Sequence, residues 1–286
     1  MPELPEVEIL ARHLRPLLRG KTIRTVTVRR ERAVRPNTPV ELRKALAGAK
    51  FMELSRRGKY LLFHFRSKAS HKTTAVLGHL GMTGRMYLAS KNEALPKHAA
   101  IVFDLGHQNF IYEDFRYFGR MSLDLSPIDN LGPEPLEKSF SPQTLAAALK
   151  NSRQPIKVKL LDQAVVAGIG NIYASEALFR ARISPKLAAN RLTSIQTKKL
   201  WRTIREVLNE AIGYGSTVPL KTMSGKSDAL FYFSDGGEGF YEERLRVYNR
   251  AGKPCLNCET VIKGIRQAGR STFFCPKCQN SRFLTK

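Results

Sequence analysis

Apolar residues recur at helical spacing near the start of the chain, where Val7, Leu10, Leu14, Leu17 and Leu18 mark one stripe over residues 3–19. Pro5 suits a first turn and Gly20 supplies a stop. Beyond it the runs become short and β-like: 22–29, 50–54, 59–65, 75–79, 99–105, 110–112 and 120–125 read as strands divided by turn residues. Ile23-x-x-Val26-x-Val28 shows the alternation most clearly in the first of them. Many short strands at this spacing predict a sandwich or barrel.

The period then changes. Residues 126–141, rich in proline, read as a linker, and 141–150, 171–181 and 193–213 as helices. In the last of these, Leu200, Ile204, Val207, Leu208 and Ile212 share a face. A Gly/Ser-rich stretch at 213–239 is expected to be loop, mobile in part. The tail, 244–286, holds ten Lys and Arg against one acid, Glu259. The division expected is 1–133, 134–243 and 244–286, in an α+β chain whose β-rich part comes first.

Composition narrows the function. Hydrophobic residues make up 42% of the 286, enough to bury real cores and exclude a disordered chain. Forty-eight Lys and Arg against 24 Asp and Glu leave a net charge of +24, which draws polyanions; nucleic acid is the first partner to consider, with an anionic membrane surface or a ribosomal location as the plainer competitors. No stretch of about 18 apolar residues occurs, and the first twenty carry acids and prolines where a secretory signal needs an apolar core, so a cytosolic protein is expected.

All four cysteines lie in one pattern, Cys255-x-x-Cys258 and Cys275-x-x-Cys278, whose two turns offer four thiolates to one tetrahedral zinc. Four protein ligands leave no open position, so such a zinc would be structural. A redox dithiol needs only one such pair, commonly beside a βαβ unit, and fits less well. Lys263, Arg266 and Arg270 fall between the pairs, to be presented by a zinc-stapled hairpin or simply to face solvent.

At the other end stand Pro2 and Glu3. Pro2 reads as an ordinary helix-start residue, or, once the initiator methionine is removed, as a free secondary amine. An α-amino group titrates near pH 8, well below lysine, and is the more nucleophilic at neutral pH. Its adduct with an aldehyde is an iminium with no N–H to lose, and Glu3 is placed to move protons.

Together, MPELPEVE, GKYLLFHF, HLGMTGR, DFRYFGR, LGPEPL, AGIGNIYASEALF and the cysteine module resemble the formamidopyrimidine-DNA glycosylase and endonuclease VIII family, in its order and over nearly the whole chain. The resemblance implies an N-terminal β-sandwich flanked by helices, a helical helix-two-turn-helix domain and a C-terminal zinc-ribbon hairpin, with damaged double-stranded DNA between the domains. It implies a bacterial-type, cytoplasmic, nucleoid-associated monomer. Its chemistry would be bifunctional: excision of oxidised purines (formamidopyrimidine, 8-oxoguanine), then nicking of the abasic site by β,δ-elimination, with one structural Zn2+ and no cofactor in the reaction.

The same resemblance assigns nucleophile to Pro2, proton transfer to Glu3, assistance in elimination to Lys59 and a phosphate grip to Arg270. DNA contacts fall to His98, Arg116, Arg153, Met82, Phe118 and Asn171, with Lys157, His79 and Tyr173 as DNA contacts of second rank. Met82, Arg116 and Phe118 would fill the gap left by an extruded base, as chemistry on a duplex base requires; by composition alone Met82 and Phe118 read as core. Gly168-x-Gly170-Asn171 can gather backbone N–H groups at a helix start, suited to a phosphate, or can serve as a close-packing turn.

Three departures bear on base preference. The family's DPRRFG is DFRYFG here, placing Phe115 for proline and Tyr117 for arginine; the usual second histidine beyond His98 is missing; and the stretch 216–245 differs from the common lesion-covering loop. Two alternatives therefore stay open: an endonuclease VIII-like enzyme for oxidised pyrimidines, and a zinc-containing protein that binds DNA without cutting it.

Overall fold

The computed structural model describes residues 2–67, 72–214 and 244–280. They fall into two units, one of Pro2 and Glu6–Asp129, the other of Glu3–Pro5 with residues 130–214 and 244–280. The expected loop at 213–239 lies, from 215 on, outside the described residues.

The first unit holds most of α1 (Leu4–Leu18), β1 (Thr25–Val28), α2 (Pro39–Leu46), β2 (Lys50–Arg57), β3 (Tyr60–Arg66), β4 (Thr73–His79), β5 (Gly84–Ser90), β6 (Ala99–Asp104), β7 (Gln108–Asp114) and β8 (Arg120–Ser122). Two antiparallel four-stranded sheets result, ordered β1-β6-β7-β5 and β2-β3-β4-β8. Alternation places Leu61, Phe63 and Phe65 of β3 inward, and with Phe51 these rings meet those of the other sheet: Phe51 and Phe110 lie 6.0 Å apart, Phe63 and Phe110 5.8 Å. That shared aromatic layer makes the pair of sheets a sandwich.

Helix α1 adds Val7, Leu10, Leu14 and Leu18 to the same core; Leu17 falls off the stripe and is exposed. Several expected strands shift. The first begins only at Thr25, since Thr22 makes an isolated bridge to Lys50, and the last ends at Ser122. Strand β5 and helix α2 were not expected. The second carried its signal openly: Thr38 and Glu41 form a reciprocal capping box around Pro39 at the first turn.

In the second unit, α3 (Pro142–Leu149), α4 (Ile156–Leu160), α5 (Asn171–Ala181) and α6 (Ser194–Tyr214) pack around Leu178, Leu200, Ile204, Val207 and Leu208. The expected linker at 126–141 contains only a short 3-10 turn, Ser126–Ile128, as regular structure. The buried Glu176 of α5 accepts backbone N–H bonds from Arg246, Val247 and Tyr248 at 2.8–2.9 Å, which fastens the segment entering the cysteine module to the helix. There β9 (Lys263–Gln267) and β10 (Arg270–Phe274) form a hairpin whose turn, Ala268–Gly269, has both residues at positive φ, the tight-turn geometry that matches strand twist.

In the first unit, a methyl at Gly119 would overlap the Tyr112 hydroxyl and the His79 carbonyl. Gly119→Ala is expected to cost about 1–3 kcal/mol through overpacking, seen as a lower denaturant midpoint for the sandwich; an unchanged midpoint would show that the loop yields freely.

Candidate active site and nucleic-acid interface

Helix α5 begins with backbone N–H groups that have no partner within the helix. Glu3 supplies one. Its Oε2 accepts from Gly170 N at 2.7 Å and Tyr173 N at 3.3 Å, and its Oε1 accepts from Ile172 N at 2.9 Å. The carboxylate is buried, at 2% exposure, on the positive end of the helix. Gly170 has no side chain for a steric reason, since a Cβ there would overlap the Glu3 carboxyl. Gly168, at φ +83°, turns the chain so that its carbonyl accepts from Leu4 N at 3.0 Å. The glycine-rich turn is thus shaped around residues 3 and 4, and two of the N–H groups that the sequence offered to a phosphate have acceptors within the chain: Gly170 N donates to Glu3, and Gly168 N to Gln163 Oε1 at 2.9 Å. Pro2, one peptide bond away, is buried as well.

Lys157 is also placed differently from the expectation of a DNA contact. It is buried, and its ammonium donates to Asn171 Oδ1 at 2.5 Å, Ser271 O at 2.8 Å and Thr272 Oγ1 at 2.7 Å. All three N–H donors are spent inside the unit, joining the start of α5 to the zinc hairpin. Burial, aided by the charge of Arg270 and opposed by Glu3, lowers its pKa to about 8. Tyr173 likewise lies in the core. Arg270, at the start of β10, and Arg153 are exposed, and Asn171 is half-buried with its carbonyl end turned to Lys157.

The four cysteines converge. Their Sγ atoms all lie within 4.8 Å of one another, with Cys255–Cys278, Cys258–Cys275 and Cys258–Cys278 at 3.9, 3.5 and 3.4 Å. A tetrahedral zinc with Zn–S near 2.3 Å asks for sulfurs about 3.8 Å apart, so the set fits one structural Zn2+. Gln279 steadies the second knuckle, accepting from Cys275 N and donating to Ile183 O, both at 2.9 Å.

In the first unit Lys59 occupies the two-residue turn between β2 and β3, after Gly58 at φ +57°, and is buried. His79 ends β4 nearby. Gly81 N donates to its Nδ1 at 3.1 Å, so the neutral ring carries its proton on Nε2. Burial first, then the charges of Lys59 and Arg120, lower its pKa to about 4.

The loops bearing the remaining candidates are built back to back. Asp114, buried, accepts from Thr83 Oγ1 (2.6 Å), Arg116 N (3.2 Å) and Gly119 N (2.7 Å), tying residues 115–119 to the 80–83 turn. From this anchor Met82 (44% exposed) and Phe118 (49%) project into solvent, which overturns their reading as core; the Arg116 guanidinium lies 5.1 Å from the Phe118 ring centre. His98 bonds the Tyr117 hydroxyl through Nδ1 at 3.1 Å. Sequence reasoning missed Asp114, whose role rests on partners made adjacent only by the fold.

A β-sandwich, a helical unit and a four-cysteine hairpin, with the chain's second and third residues embedded in the structure, define a two-unit, zinc-finger class of protein. Three family models match in succession: the formamidopyrimidine-DNA glycosylase N-terminal domain over 1–121, the formamidopyrimidine-DNA glycosylase H2TH domain over 131–222, and the zinc finger found in FPG and IleRS over 252–280. The formamidopyrimidine-DNA glycosylase of Carboxydothermus hydrogenoformans is 38% identical over 279 residues, 98% of this chain and 100% of the relative. Two Lactococcus lactis FPG structures are similar: a mutant in complex with Fapy-dG DNA (TM-score 0.84, 32% identity, 98% and 100% covered) and the wild type with oxidised-pyrimidine DNA (0.85, 32%, 98% and 100%). The chain belongs to the formamidopyrimidine-DNA glycosylase family. No helix among the described residues is long and apolar enough to cross a membrane.

The depressed pKa of His79 has a sign. As pH falls from about 6.5, the unfolded ring takes up a proton that the folded ring refuses until about 4, so stability is lost across that window. NMR is expected to show one histidine titrating near 4, absent in His79→Gln, whose stability slope between pH 6.5 and 4 is shallower. A His79 that titrates near 6.5 contradicts the buried neutral ring.

Proposed function

We propose that the chain is a bifunctional DNA glycosylase and abasic-site lyase of base excision repair, acting on damaged double-stranded DNA. It removes oxidised purines, formamidopyrimidine and 8-oxoguanine, then nicks the emptied strand. The division proposed is a catalytic sandwich over 1–133, a helix-two-turn-helix DNA-binding domain over 134–243 and a four-cysteine zinc finger over 244–286, in a cytoplasmic, nucleoid-associated monomer. The observation that carries the reading is the seating of Glu3: a buried carboxylate fixed by three N–H donors next to a residue that, freed of Met1, is a secondary amine.

On this reading the Pro2 nitrogen attacks C1′ of the lesion nucleotide, and the base departs with a proton that Glu3 helps deliver. The amine gives up its proton, and the C1′–O4′ bond breaks as O4′ takes up a proton and the sugar ring opens. The iminium so formed between nitrogen and C1′ withdraws electrons and acidifies the C2′ protons. Loss of one expels the 3′ phosphate with assistance from Lys59. A second elimination expels the 5′ phosphate, held by Arg270 and by the amide NH2 of Asn171, whose carbonyl end is occupied by Lys157. A gap with phosphate at both ends remains. His98 and Arg153 contact the backbone, while Met82, Arg116 and Phe118 fill the gap left by the extruded base; their exposure on an anchored loop pair suits that work. Lys157 acts through Asn171 and the hairpin rather than on DNA. The zinc holds the hairpin that presents Arg270 and takes no part in the reaction.

A second reading, action on oxidised pyrimidines, draws on the similar Lactococcus lactis enzyme in complex with oxidised-pyrimidine DNA. Single-lesion duplexes separate the two by relative excision rate. Borohydride reduction during reaction with an abasic duplex is expected to yield a covalent protein–DNA adduct, lost in Pro2→Gly carrying an added leading residue. Absence of adduct on any lesion would leave a binding protein only.

A further inference from the structure

The most exposed aromatic of the first unit's anchored loops is one that the roles above do not use. Phe115 is 59% exposed, more than Phe118 at 49%, and stands where the family pattern has proline. An exposed ring on a wandering loop would mean little. This one is held. Asp114, the residue before it, is buried and takes three hydrogen bonds, and Asp114 N donates to His98 O at 3.1 Å.

The His98 ring stands edge-on to Phe115, centroids 5.8 Å apart and planes at 76°, and is itself fixed by the Tyr117 hydroxyl at 3.1 Å. Tyr117 reaches that bond from φ +56°, a left-handed conformation unfavourable for a side chain of its size and a kind of strain that gathers at functional sites. Behind it the Arg30 guanidinium lies 5.2 Å from the Tyr117 ring centre. Both residues that depart from the family pattern, Phe115 and Tyr117, therefore belong to one braced aromatic assembly. Cations are interleaved with it on a chain of net charge +24. Rings alternating with guanidinium groups are the surface that single-stranded bases stack upon, since every base has a π-face and every link a phosphate.

We propose that Phe115 is a stacking platform for an unpaired DNA base, a specificity-determining contact to the base left without its partner when the lesion is extruded. Tyr117 and His98 are positioning residues that hold its ring. The proposal rests on the glycosylase reading and deepens it: Arg116 and Phe118 occupy the gap, and Phe115 receives the orphaned base itself, so the choice of opposite base depends on how well each base stacks.

The probe is a duplex with 2-aminopurine opposite a tetrahydrofuran abasic analogue, titrated with wild type, Phe115→Leu and Phe115→Trp. Wild type is expected to quench the 2-aminopurine. Phe115→Leu, which keeps an apolar side chain but loses the aromatic face, should bind about 5- to 150-fold more weakly with less quenching, and Phe115→Trp should restore both. Equal affinity and emission in wild type and Phe115→Leu overturn the proposal, as does weaker binding with unaltered quenching. Borohydride trapping on a natural abasic duplex runs in parallel. Trapping by wild type with no Phe115 effect sinks this inference alone; no trapping by wild type sinks the glycosylase reading beneath it.

Discussion

The Glu3 carboxylate seated on the first turn of α5 is the constraint from which the rest of the site follows. A helix start must find acceptors for its N–H groups, and a buried carboxylate must find donors; each solves the other's problem. The two lie 167 residues apart in sequence, so the contact forms only once the chain has folded. Its consequences spread outward. Gly170 must lack a side chain, Gly168 must turn at positive φ, Leu4 finds its acceptor in that turn, and Asn171 opens the helix with its carbonyl drawn to Lys157. The residue before Glu3 is buried as well, and on the proposed reading covalent catalysis from residue 2 depends on a nucleophile that stays still.

Lys157 carries the same logic to the zinc hairpin. Burying an ammonium costs free energy unless all its protons are matched, and here one side chain, one carbonyl and one hydroxyl match them. The cysteine cluster fixes the hairpin internally, Lys157 and Gln279 fix it to the helical unit, and Arg270 is left exposed at the edge of a tight turn. In the sandwich, Asp114 does comparable work, spending its carboxylate on loop backbone so that apolar and aromatic tips can stand in solvent.

Much of this was legible in the chain. Helices with a long apolar stripe, such as α6, declare themselves, and α3 and α5 begin and end within a residue or two of their expected bounds. The zinc ligands follow from local spacing alone. Strand β5 was missed because Gly84–Ser90 mixes small, charged and apolar residues without clean alternation, and α2 was missed although its capping box is written in Thr38–Glu41. Exposure was harder. Met82 and Phe118 look like core by type, and only the anchoring of their loops shows why they are not. The partners of Glu3, Lys157 and Asp114 were illegible for one shared reason: buried polar groups are satisfied by whatever the fold brings near, and no short-range pattern encodes that.

The central claim is that residue 2, held in place by its neighbour's carboxylate, is the nucleophile. Proteolysis of the borohydride-trapped complex followed by mass spectrometry tests it most directly. The expected product is a sugar remnant carried by a peptide that begins at Pro2, with Met1 gone and the mass added at the ring nitrogen. An adduct on a lysine, or an active protein that keeps Met1, contradicts it.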